Sequence, residues 1–206
     1  MKIRHLPGSP VRGEPFTPDC PAEHVLGGTW LGDSQPAQAQ TWPLQVIPTR
    51  LLDNSVDGIE EIWFCDLPCS SGTFEGIEWR RTDDVLYGAL ELDEDEFVDS
   101  VSGSPLQAAS REAYSRIFRL LDEQCLPNLW RAWNYLADIN RETDGLERYR
   151  QFNIGRQDAF HEFRHGSSGN VPAACALGLS GGPLRIAFMA GMVETMAIEN
   201  PRQVSA

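Results

Sequence analysis

The sequence predicts an α+β fold, because strand patterns dominate residues 25–100 and helical periodicity appears only from Pro105 onward. Two apolar runs near the end of the chain predict strands again. The predicted order is therefore strands, helices and strands, without the regular alternation of a doubly wound sheet. A chain of 206 residues with 18 Gly and 14 Pro fits one domain or two small ones with many turns.

The first 24 residues are rich in proline and show no hydrophobic period. We expect residues 1–24 to form an arm on the surface or on a partner. They contain no apolar stretch of the signal-peptide type, and no later stretch approaches the ~20 apolar residues that span a bilayer. We therefore expect a cytoplasmic protein with no membrane partner. Its five cysteines, including the CxxxC pair Cys65 and Cys69, are expected to be reduced thiols.

Residues 25–100 form an acidic region with predicted strands. Leucine, β-branched and aromatic residues stand between turn-forming residues, as in half-buried strands. Thr82-Asp83-Asp84 is a short polar turn and predicts a hairpin of the strands on either side. The acidic stretch from Asp93 to Asp99 marks a boundary. The predicted strands are His24–Leu31, Pro43–Leu52, Glu60–Leu67, Gly76–Arg81 and Val85–Leu92.

Three helices are predicted at the start of the remaining region, residues 101–206. The first begins after Ser104, a capping residue, with Pro105 at the first helical position and apolar residues at helical spacing. The second carries the aromatic pattern LWRAWNYL, and the third is ended by Gly166. The second and third helices are predicted from about Asn128 to Ile139 and from about Asp144 to His165.

Two apolar runs, Val171–Leu179 and Leu184–Ala190, follow the helices and are joined by Ser-Gly-Gly-Pro. They predict two buried strands in a tight hairpin. The junction, Gly178–Gly182, also matches the G-x-S-x-G pattern of serine hydrolases. A strand is predicted after it instead of a helix, and no histidine follows His165, so the triad order of those enzymes is not completed in this sequence.

The charge distribution disfavours a nucleic-acid partner. The formal net charge is −13, and all of it lies within residues 1–100, because acidic and basic residues balance in residues 101–206. This charge would repel a phosphate backbone, and the sequence contains no run of Lys or Arg to bind one.

His161–His165 matches H-E-x-x-H, in which two imidazoles one helical turn apart bind zinc and the glutamate acts as general base. A third ligand would have to be Glu194 or Glu199. The charged Arg164 occupies a position that should pack under the metal, and the predicted helix ends just beyond the motif. We therefore expect no metal site and keep a zinc hydrolase as a minor alternative.

The third predicted helix carries the candidate binding site. A guanidinium on its buried face needs an anionic partner, because a desolvated charge without one costs several kcal/mol. That partner is either an internal carboxylate from the acidic first half or the carboxylate of a substrate. Arg148 and Arg150, on neighbouring faces, are alternatives to the arginine of the buried stripe. The stripe at helical spacing consists of Tyr149, Asn153, Arg156 and Phe160.

Several ordered blocks resemble the chorismatases, the chorismate pyruvate-hydrolases and hydroxybenzoate synthases of bacterial secondary metabolism and pigment biosynthesis. The resemblance covers residues 100–206 strongly and the first half loosely. Long blocks in the same order are more specific than either short motif above. The blocks are PLQAA at 105–109, LWRAWNYLADIN at 129–140, GLERYRQFNIGR at 145–156, VPAACALG at 171–178 and IENPRQVSA at 198–206.

The resemblance implies a cofactor-free hydrolysis of chorismate. The enol-pyruvyl group is protonated, water is added and pyruvate leaves, with 3- or 4-hydroxybenzoate or a dihydroxycyclohexadiene carboxylate as the other product. The resemblance also implies a RidA/YjgF-like C-terminal domain beyond Ala206 that carries the catalytic acid. The chain is therefore expected to be inactive alone, with no catalytic residue of its own, and to self-associate through the surface which that domain would cover.

The implied substrate-side residues belong to two of these blocks. One is the block at 145–156, which includes the arginine of the stripe, and the other is the block at 198–206. A non-catalytic small-molecule-binding or assembly module is the alternative function. The implied substrate-binding residues are Arg148, Tyr149, Asn153, Arg156, Asn200 and Gln203, with Ser205 beside them.

Overall fold

The computed structural model describes residues 2–11, 20–36, 39–52, 56–100, 103–164 and 171–195. These residues form three layers: a pair of helices, a six-stranded sheet and a four-stranded sheet. One core lies between the helices and the six-stranded sheet, and a second lies between the two sheets. The predicted α+β class is confirmed, with two helices of eight or more residues in the described part of the chain instead of three.

The four-stranded sheet has the order β1-β4-β2-β3, and the six-stranded sheet has the order β11-β8-β12-β7-β6-β5. The first sheet contains β1 (Ile3–Val11), β2 (Val25–Gly32), β3 (Leu44–Pro48) and β4 (Gly58–Cys65). The second contains β5 (Ser70–Phe74), β6 (Ile77–Arg81), β7 (Val85–Leu92), β8 (Asn128–Ala137), β11 (Ala173–Leu179) and β12 (Leu184–Gly191). The remaining elements are α1 (Pro105–Glu123), α2 (Arg148–Glu162) and the short pair β9 (Glu142–Thr143) and β10 (Leu146–Glu147).

The segment predicted to be an irregular arm contains strand β1, which pairs antiparallel with β4. β1 lies at the edge of its sheet, and its register shifts between Leu6 and Ser9. An edge strand with an irregular register tolerates Pro7 and Pro10, because the missing amide hydrogens are not needed by a second neighbour. The prolines are therefore the reason that the sequence did not predict strand β1.

The predicted hairpin of β6 and β7 is confirmed, and the Thr82 amide donates to the Val85 carbonyl across its turn at 2.9 Å. The start of α1 is also as predicted. Ser104 Oγ accepts a hydrogen bond from the Gln107 amide at 3.2 Å, and Pro105 occupies the first turn. The buried face of α1 packs on the six-stranded sheet.

The helix predicted from Asn128 to Ile139 is wrong, because this segment is strand β8. β8 belongs to the middle layer, so the helices cover one of its faces and the four-stranded sheet covers the other. Leu129 and Leu136 belong to the core under the helices, whereas Trp130 and Trp133 pack towards the four-stranded sheet. A strand that is apolar on both faces loses its two-residue alternation, and its aromatic residues then imitate helical spacing.

The predicted hairpin of the last two strands is also wrong. β8 lies between β11 and β12, and β11 runs parallel to β8 at the edge of the sheet. β12 is buried throughout, as predicted, whereas β11 is largely exposed, with Leu177 49% accessible. The intervening helix α2 makes this parallel pairing possible, because parallel strands need a long crossover.

The third predicted helix is present as α2 but is shorter at both ends. Leu146 and Glu147, within the predicted range, form strand β10, which pairs with β9 just before that range. The helix ends at Glu162, while His165 and Gly166 lie outside the described residues. Strands from both sides of the boundary predicted near residue 100 share the six-stranded sheet. Neither α1 nor α2 is long and apolar enough to cross a membrane.

The carboxyl group of Glu60 on β4 is buried, and we expect it to make stability dependent on pH. Glu60 is 2% exposed, and its Oε1 has no hydrogen-bond partner among the described residues. Burial raises the pKa of Glu60 from 4.5 to about 7. Between pH 4.5 and about pH 7, the folded chain binds more protons at Glu60 than the unfolded chain does, so the stability of the fold falls as the pH rises.

We expect Glu60→Gln to become more stable than the natural chain as the pH rises. The difference in their free energies of unfolding should grow by about 3 kcal/mol between pH 4 and pH 8. Urea denaturation at pH values across this range measures the difference. Glu61→Gln is the matched control, because Glu61 is the neighbouring residue on the same strand with a 41% exposed side chain. Equal pH dependence in the Glu60→Gln variant and the natural chain would contradict this expectation.

Candidate functional site

The candidate site is a cavity of about 260 Å³ beside the outer face of α2. Three residues of the predicted stripe line it, together with one more helical residue and one residue ahead of β11. The predicted stripe therefore supplies most of the lining. The lining residues are Asn153, Arg156, Gln157, Phe160 and Val171.

Arg156, at the edge of this cavity, has no counter-charge among the described residues. In the described part of the chain, Arg156 forms no ion pair, and its buried Nε has no hydrogen-bond partner. Its guanidinium carbon lies 5.6 Å from the ring centre of Tyr114 and 5.2 Å from that of Phe160. Ring faces attract a cation but accept no strong hydrogen bonds, so the donors of the guanidinium remain suited to an anion.

Tyr114 and Asn134 hold the surface on which Arg156 rests. Tyr114 is fully buried, and its hydroxyl donates to Asn134 Oδ1 at 2.8 Å. Asn134 Nδ2 in turn donates to the Cys175 carbonyl at 2.8 Å, which ties this contact to β11. Burial raises the pKa of Tyr114 to about 12, so the phenol stays protonated and can donate at neutral pH.

The site depends on close contact between the two helices. Gly155, the neighbour of Arg156, faces α1 so closely that a Cβ atom would collide with the Gln107 carbonyl oxygen. Only glycine permits this approach, which brings Arg156 over Tyr114 on α1. Glycine is needed at position 155 because the helices pack closely there, and not because the backbone has an unusual φ angle.

Gln151 fixes the start of α2. Its side chain is 2% exposed, and its Nε2 donates to the Thr143 carbonyl at 2.6 Å and the Leu146 carbonyl at 2.8 Å. Its Oε1 accepts from the Ser104 hydroxyl at 2.5 Å, so the same amide also reaches the cap of α1. Our sequence predictions did not include Gln151, Tyr114 or Asn134. The available signal was the position of Asn134, an amide between two aromatic residues in LWRAWNYL.

Arg148 forms an ion pair with an internal carboxylate, which is one of the two kinds of partner considered for an arginine of this helix. Its Nη2 lies 2.5 Å from Glu94 Oε1, and both side chains are mostly buried. Its Nε also donates to the Ala137 carbonyl at 2.8 Å. Arg150, by contrast, has a 70% exposed side chain and lies 3.8 Å from Glu147. Arg156 is therefore the arginine of this helix whose arrangement leaves room for an external anion.

The other predicted substrate-side residues have different positions. Tyr149 is 43% exposed and does not line the cavity, although its carbonyl accepts a hydrogen bond from Asn153 Nδ2 at 3.0 Å. Asn200, Gln203 and Ser205 lie outside the described residues.

The residues of the H-E-x-x-H motif are engaged elsewhere or lie outside the described residues. Glu162 Oε2 forms an ion pair with Arg111 Nη2 at 2.9 Å, and His161 Nε2 lies 3.3 Å from Gln157 Nε2. His165 and Glu199 lie outside the described residues. Within residues 2–11, 20–36, 39–52, 56–100, 103–164 and 171–195, no three potential ligands are grouped as a metal site requires.

A larger cavity of about 300 Å³ lies between β3 and strands β6 and β7. Its lining includes Gln45, Glu78 and Glu91. Glu91 forms an ion pair with Arg185 at 2.8 Å, so Glu78 is the lining carboxylate that would repel an anion. An anionic ligand is therefore better accommodated beside Arg156.

Comparison with known proteins gives one consistent result. Residues 61–190 match the family model described as chorismatase FkbO/Hyg5-like, N-terminal. A chorismatase of Streptomyces rapamycinicus is 33% identical over 186 residues, which cover 89% of this chain and 51% of the relative. A 3-hydroxybenzoate synthase of Streptomyces hygroscopicus is 33% identical over 151 residues, which cover 71% of this chain and 41% of the relative.

A crystal structure of a chorismatase has the same fold, with a TM-score of 0.74 and 29% sequence identity. The similarity covers 97% of this chain and 56% of that chain. The chain thus spans about half the length of the curated relatives it matches.

Proposed function

Because this chain belongs to the FkbO/Hyg5-like chorismatase family, we propose that it provides the substrate-bordering N-terminal part of an enzyme that hydrolyses chorismate. In the proposed reaction, the enol ether of chorismate is protonated, water adds to the activated carbon, and pyruvate leaves. The ring product is a dihydroxycyclohexadiene carboxylate, or 3- or 4-hydroxybenzoate after loss of water. No cofactor takes part in this proposal.

The observation that carries the proposal is the Arg156 guanidinium, which lies beside the 260 Å³ cavity and has no ion pair within the described part of the chain. Chorismate bears two carboxylates, and a guanidinium binds a carboxylate through two parallel hydrogen bonds. Binding pockets for small molecules commonly enclose about 300–1,000 Å³. A cavity of this size therefore suits one carboxylate and part of the ring, which is what a bordering surface has to hold.

We propose that the proton donor comes from the half of the family's length that this chain does not span. The two glutamates that flank the stripe support this view, because neither lines the cavity. Glu162 is paired with Arg111, and Glu147, the residue before α2, lies 3.8 Å from Arg150. The 206-residue chain is then inactive alone, as the resemblance implied.

Pyruvate release from chorismate tests this function. We expect no release by this chain alone and release when the C-terminal half of the Streptomyces rapamycinicus chorismatase is added. Coupling pyruvate to lactate dehydrogenase gives a continuous measurement, and calorimetry measures chorismate binding by the chain alone. The control is the C-terminal half without this chain.

Each other outcome has a distinct meaning. Release by this chain alone would overturn the assignment of the proton donor. Saturable chorismate binding without release, even with a folded C-terminal half, would favour a non-catalytic binding module. The absence of both binding and release would overturn the proposed function.

A further inference from the structure

Two cysteines meet at the turn that connects the two sheets. Cys65 is the last residue of β4 in the four-stranded sheet, and Cys69 directly precedes β5 in the six-stranded sheet. Cys65 is 1% exposed within the core between the sheets, whereas Cys69 is half-buried at its edge. Cys69 packs against the apolar cluster that contains Cys65, and the two thiols are close enough to affect each other's pKa.

The positive charge of Arg80 acts on Cys69 of this pair. Arg80 is 8% exposed, and its Nη1 donates to the carbonyls of Ala22 at 2.8 Å and Val25 at 2.7 Å. Its buried Nε has no hydrogen-bond partner among the described residues, and no carboxylate of those residues forms an ion pair with it. Backbone carbonyls orient the guanidinium but leave its charge uncancelled, so it acts on the neighbouring Cys69.

The two sulfurs therefore differ in character. The hydrogen bond from Cys65 and the charge of Arg80 lower the pKa of Cys69, against an opposing effect of burial. The same hydrogen bond, burial and the nearby Asp66 carboxylate raise the pKa of Cys65. The Cys69 Sγ also lies 3.8 Å from the His24 carbonyl oxygen and 3.9 Å from the Leu67 carbonyl oxygen.

We propose that Cys65 and Cys69 form a hydroperoxide-sensitive thiol pair, in which Cys69 is the reacting sulfur and Cys65 closes a disulfide with it. This site is separate from the Arg156 cavity, and it does not depend on the proposed function. A merely structural role would leave both thiols as inert small apolar groups of the core.

The chemistry balances with one hydroperoxide per pair. The Cys69 thiolate attacks the terminal peroxide oxygen, the O–O bond breaks, and the departing hydroxide takes a proton to become water. The sulfur of Cys65 then attacks the sulfenic acid of Cys69, the S–O bond breaks, and a second water leaves with the proton of Cys65. Two thiols supply the two electrons that reduce one hydrogen peroxide to two waters.

Cys125 is an internal comparator, because it is an exposed free cysteine in the same chain. If accessibility alone governed oxidation, Cys125 would react before the half-buried Cys69. If the arrangement around Cys69 governs it, the order is reversed.

The test treats the reduced 206-residue chain with hydrogen peroxide and, at timed intervals, blocks the remaining thiols with N-ethylmaleimide in denaturing urea, so that the buried Cys65 is also labelled. Tryptic peptides then report each site separately, since Cys65 and Cys69 share the peptide 51–80 and Cys125 lies in 120–131. Formation of the disulfide makes peptide 51–80 about 2 Da lighter than its reduced form. We expect this change to be about tenfold faster than the oxidation of Cys125. In Cys65→Ser, the sulfenic acid of Cys69 is expected to persist and to be trapped by dimedone.

Two results would overturn the proposal. One is oxidation of Cys125 while Cys65 and Cys69 still react fully with N-ethylmaleimide. The other is oxidation of peptide 51–80 without formation of the internal disulfide. Both are read from the natural chain, so they stand even if the Cys65→Ser variant does not fold.

Discussion

Arg156→Ala is expected to weaken chorismate binding by about 10- to 100-fold. A hydrogen bond to a charged group contributes about 1.5–3 kcal/mol, and each 1.4 kcal/mol changes affinity tenfold. Arg156 is the cation of the cavity and has no ion pair among the described residues, so its removal takes away ligand contacts without leaving a carboxylate unpaired inside. Calorimetric titration of the chain with chorismate measures the change.

Arg150→Ala is the matched control for this variant, because it removes an identical charge from the same helix. The Arg150 side chain is 70% exposed and lies 3.8 Å from Glu147, so we expect little change in affinity. Arg156→Lys should recover only part of the lost affinity, because an ammonium lacks the planar pair of donors. Equal losses in Arg156→Ala and Arg150→Ala would show that long-range charge, and not a contact, governs binding.

Gly155→Ala is expected to destabilise the fold by about 2–3 kcal/mol. In an exposed helix this change would stabilise by about 1 kcal/mol, because alanine is the better helix former. Here the new methyl group would collide with the Gln107 carbonyl oxygen and lie 3.0 Å from the Arg111 amide nitrogen. Both contacts are backbone atoms of α1, so the helices must separate, and overpacking of this kind outweighs the propensity.

Urea denaturation of the two chains measures this effect. Gly181→Ala is the control, since a Cβ atom at Gly181 meets no other atom within 4 Å. A Gly155→Ala chain as stable as the natural one would show that α1 and α2 can separate at no cost. It would also remove the reason for placing Arg156 so firmly over Tyr114.

Local signals predicted the elements that depend on local interactions. The cap of α1 by Ser104 and Pro105, and the β6–β7 hairpin around Thr82, follow from contacts between residues close in sequence. The arrangement of β8, β11 and β12 does not. Whether two apolar runs pair with each other or on either side of a third strand depends on partners far away in the chain, which no local pattern records.

Part of the candidate site could be predicted in the same way. Helical spacing placed Asn153, Arg156 and Phe160 on one face, and the three residues line one cavity. The sequence required an anionic partner for the arginine of the stripe, whereas in the structure Arg148, on a neighbouring face, has an internal carboxylate partner in Glu94. The sequence did not reveal that Arg156 rests on aromatic rings, because that contact needs the approach of α1.

The position of β12 determines the order in which the six-stranded sheet can form. β12 pairs with β7 on one side and with β8 on the other, yet it is the last of the described strands along the chain. During synthesis, β5–β7 and β8 can each adopt local structure, but they cannot join until Leu184–Gly191 has left the ribosome. Closing a pair as distant as Glu91 and Arg185 carries a large entropic barrier, so completion of this sheet is expected to be the slow step of folding.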